Sequence, residues 1–129
     1  MISICRSGGT GMTAQFGADS SLFARVRPGP KQMIRLLFAH PQRLRRIWLN
    51  FVEPLTERTQ EYALRWSPEG GQSFREIVRQ QWNFSPQGAT CETGDHHVEL
   101  PAVTVLELSI IPDTSGGNAF ASLAQLRLA

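Results

Sequence analysis

The sequence has 129 residues, of which 41% are hydrophobic and 19% charged, and its formal net charge is +2. This length and apolar content are typical of one globular domain and exclude a disordered chain. The nearly balanced charge gives no reason to expect nucleic acid or an acidic membrane as a partner.

Residues 1–30 are interpreted as a flexible leader with a first strand region. The stretch from Met1 to Gly11 lacks the apolar core of a secretory signal, and no apolar run approaches a membrane span. A cytoplasmic location is therefore expected, with Met1 and Met12 both open as the natural start. Cys5 and Cys91 do not make a disulfide framework, although a single bridge between them is open.

From residue 31 onward the apolar residues alternate with a period of two, which indicates strands. Gln60, Tyr62 and Leu64 share one face of the clearest alternating run. Pro41 cannot donate to a ladder and is expected to end the first strand. The predicted strands are residues 33–38, 44–52, 59–66, 74–78, 96–100, 103–111 and 119–128. The predicted core is Leu36, Phe38, Ile47, Leu49, Phe51, Leu64, Trp66, Phe74, Ile77, Leu106, Leu108, Ile110, Leu126 and Leu128.

The turn after residue 66 belongs to a hairpin with a recognisable pattern. Residues 67–71 read Ser-Pro-Glu-Gly-Gly, a strong turn signal, and Phe74 follows on the return strand. This hairpin resembles that of the discoidin, or coagulation factor V/VIII type C, family, where a Ser-x-Asp-Gly turn precedes a large aromatic. Residues 82–86 and the closing segment 121–128 are similar in order and spacing to further elements of that family.

The resemblance implies an all-β fold, an antiparallel jelly-roll β-sandwich of about eight strands that is galactose-binding-domain-like and spans residues 31–129. Such domains bind sugars, phospholipid head groups or proteins through loops at one end. Gln125 stands where calcium-holding members often have Glu, and no Asp-Gly loop precedes Met33, so no cofactor is predicted. Residues 65–67 read Arg-Trp-Ser where the fucose-binding branch has Arg-x-Asp, so fucose specificity is not implied.

No catalytic or metal site can be assembled from the sequence. His96, His97 and Glu99 form the one suggestive cluster, but zinc needs three or four convergent ligands and no partner pair is visible elsewhere. No nucleophile elbow and no phosphate-binding loop is present. The sequence therefore predicts a binding module and not an enzyme.

A ligand site is expected where the loops at 53–58, 81–88 and 113–120 meet at one end of the sandwich. Trp82 or Phe84 would stack on the apolar face of a sugar ring, and Arg58 would donate forked hydrogen bonds. Two alternatives stay open: the aromatic residues fill the core, and Arg58 pairs with a nearby glutamate. The candidate ligand-binding residues are Glu53, Arg58, Trp82, Asn83, Phe84, Asn118 and Phe120.

Carbohydrate is the first expectation for the partner. A protein surface, including a second copy of the chain, is the runner-up, because an exposed strand edge or aromatic loop can bury against a partner.

Overall fold

Antiparallel strands account for the regular structure of the described residues. The computed structural model describes residues 2–6, 12–15, 22–27, 31–116, 119 and 121–129, with side chains from residue 31 onward. These ranges contain no helix, and hence none that is long and apolar enough to cross a membrane. The prediction of an all-β antiparallel fold is confirmed. The strands are β1 (Ile2–Arg6), β2 (Met12–Gln15), β3 (Leu22–Arg27), β4 (Gln32–Val52), β5 (Arg58–Ser67), β6 (Arg75–Phe84), β7 (Cys91–Ile111) and β8 (Leu123–Leu128).

Strands β4 and β7 are each 21 residues long and pair with each other as the central ladder. The pairing is regular at both ends, but its register shifts between Leu37 and Arg46 of β4. Pro41 of β4 and Pro101 of β7 both lie in this irregular segment. A residue without an N–H is tolerated at a bulge, where the ladder is already interrupted.

This continuity corrects two predictions. Residues 33–38 and 44–52 are the two halves of β4, and residues 96–100 and 103–111 are halves of β7, not separate strands. Pro41 does not end a strand, because the shifted register leaves it without a ladder hydrogen bond to donate.

All eight strands form one hydrogen-bonded sheet, but the two halves of β4 and of β7 have different neighbours, which divides the sheet into two parts that we call sheet I and sheet II. Sheet I consists of β2, β1, β8, the second half of β4 and the first half of β7, in that order. Sheet II consists of β3, the first half of β4, the second half of β7, β5 and β6. Residues 1–30, interpreted above as a leader with a first strand region, thus contribute β1 and β2 to sheet I and β3 to sheet II.

One hydrophobic cluster joins the two sheets. Ile47, Leu49 and Phe51 of sheet I and Leu64 and Leu106 of sheet II all belong to it, and each is at most 1% exposed. Two parts of a sheet that contribute to one core are consistent with a β-sandwich. The confirmed members of the predicted core are Leu36, Ile47, Leu49, Phe51, Leu64, Trp66, Leu106, Leu108, Ile110, Leu126 and Leu128.

Three of the predicted core residues are not fully buried. Phe38 and Ile77 are partly buried and pack against the cluster from its margin. Phe74 lies on the other face of sheet II, where the guanidinium groups of Arg65 and Arg35 are 4.5 and 5.4 Å from its ring centroid. A Cβ on Gly71, in the turn before Phe74, would lie 3.7 Å from the Phe74 ring and 3.9 Å from Val105, so the ring packs beside this turn.

The predicted hairpin of β5 and β6 is confirmed, with its turn at residues 68–74. The Ser67 hydroxyl accepts hydrogen bonds from the backbone N–H groups of Glu69 and Gly71, at 3.1 and 3.0 Å. Gly70 and Gly71 have φ values of 68° and 94°, a region that favours glycine. Strand β6 is longer than the predicted 74–78 and runs to Phe84, and β7 begins at Cys91, before the predicted start at 96.

The strand order separates the two cysteines. Cys5 pairs with Gln125 of β8 and Cys91 pairs with Val52 of β4, so β8 and β4 lie between them. Three spacings of about 4.8 Å put the two Cα atoms roughly 14 Å apart, whereas a disulfide needs about 7 Å or less. The bridge that the sequence left open is therefore excluded, and Cys91 is free and exposed.

Candidate functional site

Three segments meet at one end of sheet II, because β5 begins where β6 and β7 end. The backbone N–H of Thr114 donates to the carbonyl of Thr59 at 2.8 Å, which fixes the segment after β7 against the start of β5. The three segments include described residues of the three loops in which a ligand site is expected, namely 57–58, 83–84, 113 and 115. They surround a depression of about 330 Å³, lined by Glu57, Arg58, Thr59, Asn83, Phe84, Asp113 and Ser115. We call it the end depression.

Arg58 anchors this end from inside the protein. Its side chain is 0% exposed, and its Nε donates to the Glu53 carboxylate at 2.9 Å. Its terminal nitrogens donate to the Gln60 side chain, to the Pro112 carbonyl and to the Ser122 hydroxyl. Each guanidinium nitrogen is thus bound within the protein. The alternative to a ligand contact, pairing of Arg58 with a nearby glutamate, is what the structure contains.

The two candidate aromatics have different environments. Phe84 is 1% exposed and belongs to the hydrophobic core, and the Arg58 guanidinium lies 4.8 Å from its ring centroid. Trp82 is 40% exposed and does not line the end depression. It lies within strand β6, not in a loop, so its side chain and that of Asn83 point to opposite faces. The core alternative therefore holds for Phe84 and not for Trp82.

The other candidates divide into three groups. Asn83 lines the end depression, and its side-chain oxygen accepts a hydrogen bond from the Thr59 hydroxyl at 2.7 Å. Glu53 lies beside the depression with its carboxylate bound to Arg58. Asn118 and Phe120 lie outside the described residues.

The end depression carries an excess of negative charge among the described residues. The Asp113 carboxylate accepts hydrogen bonds from the hydroxyl and the backbone N–H of Ser115, at 2.7 and 3.0 Å. These bonds hold the pKa of Asp113 below its usual range. Glu57 adds a second carboxylate, while the charge of Arg58 is balanced by Glu53. Hydroxyl and ammonium donors suit this lining, and anions do not.

A row of polar side chains continues from Arg58 into the interior. Gln60 is 0% exposed and donates to the Glu92 carboxylate at 3.3 Å. Burial raises the pKa of Glu92 to about 7, although the Gln60 hydrogen bond and the Arg58 charge oppose the rise. The alternation of β5 had already placed Gln60 on the core face beside Tyr62, but its partner Glu92 depends on a strand pairing that the sequence does not state.

Tyr62 and His96 form a second pair, in which Tyr62 is buried and His96 is partly buried. The Tyr62 hydroxyl donates to the Gln80 side chain at 2.8 Å and lies 2.8 Å from His96 Nε2. Burial raises the pKa of Tyr62 and lowers the pKa of His96. A Cβ on Gly94 would overlap the Tyr62 hydroxyl, so a glycine is needed there. These groups satisfy one another, and no buried side-chain nitrogen or oxygen of the described residues lacks a partner.

The suggestive cluster at residues 95–99 is split between two faces. His96 points inward to Tyr62, whereas the pairs Arg46–Asp95 and Arg43–Glu99 lie exposed on the outer face. In the part of the chain that the structure describes, no group of three or more His, Cys, Asp or Glu is placed to hold a metal ion.

Comparison of the sequence with known protein families found no family whose model matches it, and comparison with curated proteins found no significant match.

Proposed function

We propose that this protein is a non-catalytic binding module that holds an uncharged polar ligand, a saccharide by preference, in the end depression. The observation that carries the proposal is the convergence of three segments around a polar depression whose wall is fixed by buried Arg58. Preformed concave sites with a few oriented polar groups are typical of small-ligand binding.

A saccharide suits the chemistry of the lining. Glu57 and Asp113 offer carboxylate acceptors to ligand hydroxyls, and Thr59 and Asn83 offer a hydroxyl and an amide. Sugar hydroxyls donate and accept, so they can use both kinds of group. In this proposal Arg58 holds the segments around the depression in place and does not contact the ligand.

A glycan array followed by calorimetric titration of the best hits tests the proposal. Asn83→Ala should weaken binding by about tenfold or more, because it removes a lining hydrogen-bond group. Gln81→Ala is the matched control, since Gln81 is exposed on the same face of β6 two residues away and does not line the depression. A blank array, or equal losses in both variants, would contradict the proposal.

Assembly with a second copy of the chain is a second candidate function, favoured by one observation. Strand β6 is at the edge of sheet II and carries Trp82, whose side chain is 40% exposed. Two copies of β6 could pair antiparallel about a two-fold axis at Gln80. Val78 would then lie opposite Trp82 of the second copy, because each is two residues from Gln80. Arg79 then faces Gln81, so no like charges are opposed.

Sedimentation over a range of concentrations distinguishes this candidate. A dimer that Trp82→Ser dissociates and Leu55→Ser does not would support it. Leu55, which is 84% exposed in the loop after β4, is the matched control for loss of an exposed apolar side chain. A monomer at all concentrations would contradict it.

The finer architecture belongs to the same proposal. We infer a jelly roll of the discoidin type from the β5–β6 hairpin with its glycine turn, from the closing strand β8 and from antiparallel pairing throughout. In such an arrangement the halves of β4 and β7 count as separate strands of the two sheets.

A further inference from the structure

The outer face of sheet I carries polar side chains around a single indole. Trp48 of β4 lies between Arg127 of β8 and Asp95 of β7 in the ladder. One step along, Asn50 lies between Gln125 and Thr93, and the Thr93 hydroxyl donates to Asn50 at 3.3 Å. We call this surface the Trp48 face.

A depression of about 220 Å³ opens on the Trp48 face and is lined by Arg46, Trp48, Arg127, Leu128 and Ala129. The Arg127 guanidinium lies 5.5 Å from the Trp48 ring centroid, within cation–π range. Among the residues that the structure describes, this ring is its one partner, and no hydrogen bond or ion pair engages it. The N–H donors of Arg127 are thus held over an apolar floor and are available to a ligand.

The second guanidinium of the depression is already balanced. Arg46 makes two hydrogen bonds of 2.7 Å to the two oxygens of Asp95, and His97 lies 3.8 Å from the same carboxylate. The neighbouring Arg43–Glu99 pair, at 3.3 Å, is also neutral as a pair.

Two arginines near the depression therefore carry uncompensated positive charge. Arg127 lines it, and exposed Arg45, on β4 beside Arg46, has no acidic partner in the described part of the chain. Among the described side chains, the Trp48 face thus has an excess of positive charge, whereas the end depression has an excess of negative charge.

We propose that the depression on the Trp48 face binds a saccharide that carries an oxyanion, such as a carboxylate or sulfate group. A planar guanidinium matches the two oxygens of an oxyanion with parallel hydrogen bonds. The indole offers an apolar surface for the C–H side of the ring. This site is separate from the end depression and does not depend on the function proposed there.

Titration of the full chain with a uronic acid disaccharide tests the proposal, with the methyl ester of the same disaccharide as the uncharged control. The readout is the indole N–H resonance of each of the three tryptophans. The Trp48 resonance should shift, while those of Trp66 in the core and Trp82 on β6 should not. Followed by the Trp48 resonance, the ester should bind at least about tenfold more weakly, because a hydrogen bond to a charged group is lost, and higher salt should weaken binding of the acid.

Variants then identify the group that binds the anion. Arg127→Gln should weaken binding of the acid by about tenfold or more, whereas Arg79→Gln, an exposed arginine on β6, should not change it. Asn83→Ala should also leave it unchanged, which separates this site from the end depression. Trp48→Phe should retain part of the affinity, since an aromatic floor remains.

Three results would overturn the proposal: equal affinity for the acid and its ester when both are followed by the Trp48 resonance, unchanged binding by Arg127→Gln, or a shift confined to Trp82. Inorganic sulfate, which has no sugar ring, is the final control ligand in the titration. If it binds as tightly as the disaccharide acid, the depression is a site for free ions and the saccharide part of the proposal is wrong.

Discussion

The end depression and the Trp48 face each contain an arginine beside an aromatic ring, yet the two arginines are used in opposite ways. Arg58 is buried against Phe84, and its donors are taken by Glu53, Gln60 and other groups of the protein. Arg127 lies over Trp48 at the surface, and no hydrogen bond engages it within the described residues. Residue type and neighbour are alike in the two places, so burial decides which guanidinium is structural and which is available to a ligand.

The largest expected effect is on the free energy of unfolding, and it differs between substitutions of Arg58 and Arg127. Arg58→Met should lower the free energy of unfolding by about 3–5 kcal/mol, because it leaves the carboxylate of Glu53 without its charged partner. Arg127→Met should change it by less than about 0.5 kcal/mol. Urea unfolding of both variants measures the difference. Comparable losses of unfolding free energy in the two variants would mean that Arg127 also stabilises the fold.

The next effect compares the two aromatics of strand β6. Phe84→Ala should cost about 3–4 kcal/mol of unfolding free energy, since it leaves a cavity in the core. Trp82→Ala should cost less than about 1 kcal/mol, because its side chain is 40% exposed. Thermal and urea unfolding check both values. A large loss for Trp82→Ala would place that indole in the core as well.

A smaller effect comes from the polar row behind Arg58 and appears as a pH dependence. The pKa of Glu92 is about 7 in the folded protein and 4.5 as its ordinary value, so the folded state binds the proton more tightly between these values. Its contribution to stability is therefore present below pH 4.5 and is lost as the pH rises through 7, by roughly 1–3 kcal/mol. Urea unfolding from pH 4.5 to 8 measures it.

Glu92→Gln is the control for that pH dependence. The variant should lose the decline between pH 4.5 and 7 and retain the contribution of His96, whose pKa is lowered by burial. The stability due to neutral His96 is present above pH 6.5 and falls as the pH drops below it. If Glu92→Gln and the parent protein have the same pH profile, another group is responsible.

The smallest expected effect tests the difference in charge between the Trp48 face and the end depression. Asp95→Asn releases Arg46 from its carboxylate on the Trp48 face. Affinity for the uronic acid disaccharide should rise by less than about fivefold, since exposed charges are screened by water and salt. Binding at the end depression should stay the same, because Asp95 does not line it. Calorimetry at low salt is the measurement, and a loss of affinity would mean that Asp95 itself contacts the ligand.

Local patterns were enough to predict some elements and not others. The alternation of Tyr62, Leu64 and Trp66 and the turn residues after them predicted the β5–β6 hairpin, because strand period and turn chemistry are local properties. Pro41 was misleading, since its effect depends on whether the partner strand bulges at the same place.

In the candidate site, too, local features were predictable and long-range contacts were not. The expectation that loops at one end of the fold hold the site came with the resemblance, and described residues of all three loops line one depression. The interior position of Arg58 could not be predicted, because its partners Pro112 and Ser122 are 54 and 64 residues away in sequence. Tyr62 and His96 are in contact only because Gly94 lacks a side chain. This contact cannot be inferred from one sequence alone.

The continuous strands β4 and β7 also bear on how fast this chain reaches its native state. Their ladder joins residues that are far apart along the chain, from Val52 with Cys91, a separation of 91 − 52 = 39, to Gln32 with Ile110, a separation of 110 − 32 = 78. Contacts of such high contact order close only after long loops are ordered, so folding is expected on the millisecond-to-second scale. Since both sheets contain part of this ladder, neither can form independently of the other, and the protein should fold and unfold as one cooperative unit.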